Sequence, residues 1–132
     1  MNLDALAVTW SPRLLSILRI MSGALFLQHG TAKHLKFPTV PMFENFDPVS
    51  LPGVAGYLEL VGGVLLILGL FTRTTAFILS GLMAAAYFIG HAPRGFYPIL
   101  NQGELAILYC FVFLYIATAG SGPWSLDAMR RK

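Results

Sequence analysis

Glu59 is a single carboxylate inside an otherwise apolar run, Gly53 to Leu70 (GVAGYLELVGGVLLILGL). At the middle of a bilayer an ionisable side chain costs about 3 kcal/mol or more, so it turns to a protein interior or a wet cavity and marks a functional site by default. Its candidate partners are His29 and Lys33, which lie near the end of the preceding apolar stretch. His29 stands six residues before the end of that stretch and Glu59 six residues into its own, so both lie about 9 Å below the same boundary at 1.5 Å per residue. Lys33, one turn above His29, has a stem long enough to bend toward the same point. A neighbouring cation would hold Glu59 ionised, whereas burial alone would favour the neutral acid, and either state can exchange protons. Glu59, His29 and Lys33 are therefore the expected catalytic group. Arg19, His91, Arg94 and Glu104 are the expected cofactor-binding residues, with Lys33 or Arg19 able to steady a negatively charged intermediate.

The elements that must position them are transmembrane helices. Apolar residues make up 56% of the 132 and charged residues 11%, against about 45–50% and about 25% in soluble domains. At about 20 residues per span, the length accommodates one domain, residues 1–132, with four spans at about 12–35, 53–70, 74–90 and 102–119. The expected fold is all-α, an integral membrane four-helix bundle. A net charge of +3 spread along the chain does not resemble the clustered basic patch of a nucleic-acid binder. The single cysteine, Cys110, excludes an internal disulfide and a CxxC redox pair. Redox chemistry would then need a borrowed cofactor or substrate. No metal site is expected, because the histidines lack cysteine partners at ligand spacing. A haem between His29 and His91 fails on depth, the two lying about two turns apart.

Residues 1 to 12 carry Asp4 and no basic run, so no cleaved signal peptide is expected there. Pro12 suits the first turn of span one. Arg19, Gly23, Phe26, Gly30 and Lys33 recur at spacings of four and three, which puts them on one stripe facing the bundle. Four prolines between Lys36 and Pro52 prevent a continuous helix, and Phe37, Phe43 and Phe46 suit a loop at the membrane interface. Ser50 is the expected N-cap of span two, which ends at Gly69, and Thr72 that of span three. Gly62 with Gly63, and Gly81 with Ala85, predict close helix packing. Asn101 and Glu104 have the spacing of an N-cap and its reciprocal partner.

With four spans, Arg13, Arg73, Arg130, Arg131 and Lys132 share one side and Lys33, Lys36 and Arg94 the other, so the positive-inside rule puts both termini in the cytoplasm. On this topology Glu59 and its neighbours belong to the outer half.

Three motifs then resemble, in order, those of the DoxX family of small four-span bacterial membrane proteins: FLQHGTAK at Phe26 to Lys33, YLELVGGVLLILGLFTR at Tyr57 to Arg73, and GSGPWSLD at Gly120 to Asp127. The resemblance covers nearly the whole chain. It implies a four-helix bundle in the bacterial inner membrane and an association with redox systems, the family name deriving from a subunit of a quinone-linked enzyme. It also implies the lipid bilayer, a partner oxidoreductase or a second copy as partners, and a quinone as the non-covalent cofactor. The expected function is a quinone-linked oxidoreductase subunit. The alternatives are an accessory scaffold subunit without chemistry of its own, and a small-solute or proton pathway.

Overall fold

The computed structural model describes residues 1–131, whose regular structure is entirely helical. Helix α1 spans Leu3–His34, α2 Leu51–Leu68, α3 Thr72–Ala86, α4 Pro98–Asn101, α5 Glu104–Ala119 and α6 Leu126–Arg130. A π-helical turn, Tyr87–His91, and a 3-10 turn, Ala92–Arg94, continue α3 without a break. Two of these helices are long and apolar enough to cross a membrane: α2, and α3 with its continuation, Thr72–Arg94. α5 is apolar and shorter, 16 residues, or about 24 Å.

α1 packs mainly on α2, and α3 mainly on α5. Phe26, Leu66, Leu79, Phe113 and Ile116 form the shared core, with the Phe26 ring edge-on to Phe113 at 5.1 Å and to Tyr109 at 5.4 Å. Polar side chains are buried beside them, among them Ser16, Arg19, Lys33, Glu59 and Ser80, while Val54, Val61, Phe77, Ile78, Leu108 and Phe111 face outward. This distribution inverts that of a water-soluble bundle and suits an apolar solvent.

The expected stripe on α1 is buried throughout: Arg19, Gly23, Phe26, Gly30 and Lys33 all face α2 or the core. Glycine is required where the two backbones nearly touch. A Cβ on Gly30 would lie 2.8 Å from the Gly56 carbonyl oxygen, and one on Gly63 would lie 2.8 Å from Leu27. Ser50 caps α2 by accepting from the Gly53 amide at 3.2 Å, and Gly69 closes it in the left-handed conformation, φ 68°.

Four local expectations are corrected. α1 begins at Leu3, because Asn2 Oδ1 accepts from the Asp4 and Ala5 amides, so Pro12 lies inside the helix. Residues 1–12 are exposed, and the carbonyl that Pro12 leaves without an amide partner is open to solvent or headgroups. Thr72 is not the cap of α3; Phe71 occupies that position in the left-handed region, φ 51°, and the cap comes from Asp127, which accepts from the Phe71 and Thr72 amides at 2.9 Å each. Partial burial pushes the Asp127 carboxyl up, but those amides and the nearby Arg130 outweigh it and hold it below the usual carboxylate range. Asn101 lies in α4 and accepts from the Gly103 amide, while Gly103 precedes α5, so no Asn101–Glu104 capping box forms. Finally, Gly81 is exposed and meets nothing within 4 Å, so it makes no helix contact.

Candidate functional site

The site grows out of the close approach of α1 to α2. With Gly30 laid against Gly56, Lys33 one turn further along α1 reaches Glu59 on α2. Lys33 Nζ lies 2.9 Å from Glu59 Oε1, and the residues are 8% and 4% exposed. Lys33 Nζ also stands 5.8 Å from the centroid of the Phe43 ring, which caps the pair from the connecting loop. Glu59 Oε2 is buried and has no hydrogen-bond partner among the described residues.

Beside this pair lies a cavity of about 310 Å³. Lys33 and Glu59 provide its charge; Leu51, Pro52 and Ala55 of α2 and Leu82, Met83 and Ala86 of α3 make its wall apolar; and the π-helical turn contributes Ile89 and His91. A π-helical turn widens the helix by one residue and recurs at functional positions. His91 Nδ1 lies 3.0 Å from the Asn101 carbonyl oxygen, and its ring stacks on Tyr87. Asn101 is fully buried and is itself held by Gly95 and Tyr87, to which its amide donates.

Of the seven residues expected at the site, Lys33, Glu59 and His91 line this cavity. His29 makes no hydrogen bond with Glu59 among the described residues. It adjoins Gly30 in sequence and so lies about 100° round the helix from the buried stripe, although its depth matches. Arg94 bonds back to the Gly90 carbonyl at 2.9–3.1 Å and is exposed, and Glu104 is exposed at the start of α5.

Arg19 lies about 21 Å along α1 from Lys33 and is fully buried. Its guanidinium donates to the Leu66, Ile67, Ser121 and Trp124 carbonyls. It therefore ties the end of α2 to the segment before α6 and does not snorkel to the boundary.

Two residues of the site region, His34 and Asn101, were not among the site residues expected from the sequence, Asn101 being read there as a helix cap. His34 Nε2 lies 2.7 Å from the Gly53 carbonyl oxygen and its ring stacks on Tyr57 at 3.9 Å, closing the α1–α2 end above Lys33. Its place in the last turn of α1, where a cation complements the helix dipole, was a readable signal. Asn101 had no such signal, since its partners come from three separate segments. No group of three or more metal-binding side chains occurs among the described residues.

Comparison with known proteins identifies relatives of the chain. The DoxX family model matches residues 14–92, which include Lys33, Glu59 and His91. An uncharacterised protein of Haemophilus influenzae is 51% identical over 124 residues, 89% of this chain and 91% of that protein. A Bacillus subtilis protein named "Putative oxidoreductase CatD" is 27% identical over 115 residues, 84% of this chain and 82% of the relative. No solved structure matches. With its outward apolar faces, two membrane-length helices and a family match over more than half its length, this membrane protein belongs to the DoxX family.

Proposed function

We propose that the chain is a four-span subunit of the bacterial inner membrane that binds a quinone headgroup beside Lys33 and Glu59 and serves a partner oxidoreductase. The spans are α1, α2, α3 with its continuation, and α5. Arg13, Arg73, Arg130 and Arg131 lie on the cytoplasmic side with both termini, and Lys33, Lys36 and Arg94 toward the outer side, in keeping with the positive-inside rule; Lys132, counted with the first group, lies outside the described residues.

The observation that carries this reading is the buried Lys33–Glu59 pair on the wall of an apolar cavity, with one carboxylate oxygen left unpartnered. At about 310 Å³ the cavity falls at the small end of the range of about 300–1,000 Å³ for small-molecule sites, and its wall suits a flat ring entering from lipid. A quinone interconverts with its quinol by two electrons and two protons. The electrons would come from or go to the partner, because the chain has one cysteine and no cofactor motif. Glu59 would hold and pass protons at its free oxygen, Lys33 would fix the carboxylate's orientation, and the apolar wall would exclude water. The similarity to the protein named "Putative oxidoreductase CatD" agrees with this assignment.

The test is quinone content. Protein purified in mild detergent should carry quinone on solvent extraction, and the double variant Lys33→Met/Glu59→Gln should carry less than a tenth as much. Wild-type protein free of quinone, or equal amounts in both, would contradict the proposal. A non-catalytic scaffold role is the second reading, favoured by the Arg19 and Asp127 contacts that bind the C-terminal segment into a fixed docking end.

A further inference from the structure

The cavity's polar groups are unevenly matched, and the imbalance bears on which redox form of a ring fits; this inference rests on the quinone reading and deepens it. Glu59 Oε1 is met by Lys33 Nζ at 2.9 Å, whereas Oε2 is just as buried and has no partner among the described residues. A buried charged acceptor without a donor is expensive. Lys33, the charged donor of the cavity, is directed to Oε1 and stands over the face of Phe43.

His91 adds a second acceptor. Its Nδ1 lies 3.0 Å from the Asn101 carbonyl oxygen, which can only accept, and 3.3 Å from Arg94 Nη2, which can only donate. The shorter contact assigns the proton to Nδ1, so Nε2 carries a lone pair. Two acceptors, Glu59 Oε2 and His91 Nε2, thus belong to residues lining one apolar cavity.

We infer that the site selects the reduced, hydroxyl-bearing quinol over the oxidised quinone, with one hydroxyl donating to Glu59 Oε2 and His91 Nε2 serving as acceptor for the other. An oxidised ring carries carbonyl oxygens in place of the hydroxyls and would set oxygen against oxygen at Glu59. The preference belongs to the ring's hydroxyls and not to its tail, so a short-chain probe reports it.

The experiment uses the full chain in detergent, with decylubiquinone and its reduced form, decylubiquinol, held under argon, and reads each dissociation constant by equilibrium dialysis. Decylubiquinol should bind about ten- to a hundredfold more tightly, the value of one hydrogen bond to a charged group. Glu59→Gln supplies an amide N–H that can serve a carbonyl, so the preference should shrink to within about threefold. His91→Phe removes the second acceptor without unpairing Lys33 and should reduce the preference by a smaller factor. Equal or tighter binding of decylubiquinone to the wild-type protein overturns this inference while leaving the quinone reading in place. Failure of both probes to bind the wild-type protein overturns both. The wild-type comparison needs no variant to fold, and a well-folded Glu59→Gln protein with its preference undiminished would remove Glu59 from the assignment.

Discussion

Two charged centres are buried on the same face of α1, and they are finished differently. At one end, Arg19 has its guanidinium spread over four backbone carbonyls from α2 and the C-terminal segment, and its side chain does not line the cavity that Lys33 and Glu59 share. At the other, Lys33 satisfies one oxygen of Glu59, a residue that lines an apolar cavity, and leaves the second buried without a partner among the described residues. A centre with all its hydrogen bonds made holds elements together; one with a buried acceptor to spare invites a ligand. Sequence position put Lys33 and His29 in the catalytic group and Arg19 among the cofactor-binding residues, and the roles separate further in what each side chain touches.

Substitutions at the two ends should separate these roles. Arg19→Ala should have the largest effect on stability, on the order of 4 kcal/mol, because it strands buried carbonyls on two segments; thermal unfolding in detergent measures it. Lys33→Met leaves Glu59 buried without its cation and should cost about 3 kcal/mol, whereas the double variant Lys33→Met/Glu59→Gln should lie within about 1 kcal/mol of wild type, since a buried ion pair contributes little net stability. That double variant should nevertheless lose bound quinone. A destabilisation equal to that of Lys33→Met alone would place the pair with Arg19 as structure.

Gly30→Val tests the spacing that brings the pair together. Its new carbons meet the Gly56 carbonyl and Leu60, so stability should fall by about 1–3 kcal/mol, and quinone content should fall with it as Lys33 moves away from Glu59. The smallest effect belongs to the C-terminal clasp. The Asp127 carboxyl is held below its ordinary range in the folded chain, so its contribution is present above the unfolded-state value and is lost as pH falls through the lower, folded one. Asp127→Asn should lower stability by about 0.5–1 kcal/mol at neutral pH and flatten the acid limb of the curve below about pH 4. An unchanged acid limb would assign that limb to other carboxylates.

Much of the frame was legible because it is periodic. The 4-3-4-3 spacing of Arg19, Gly23, Phe26, Gly30 and Lys33 marks the buried stripe, and Ser50 and Gly69 bound α2 by local backbone chemistry. What was not legible comes from contacts that no local capping pattern encodes. Asp127 caps α3 from 55 and 56 residues away, so Thr72 read as its own cap. Asn101 serves Gly95, Tyr87 and Gly103 instead of opening α5. Depth matched His29 to Glu59, but rotation about the helix axis decided for Lys33. The cavity itself owes its far wall to a π-helical turn at Tyr87–His91, for which hydrophobic periodicity has no signature.

The central claim is that the second oxygen of Glu59 accepts from a bound ligand, and infrared difference spectroscopy reads that oxygen directly. Adding decylubiquinol to the wild-type protein should shift a carboxylate stretching band, and the shift should be absent in Glu59→Gln. A carboxylate region unchanged by saturating quinol, or a shift that persists in the variant, would contradict the account.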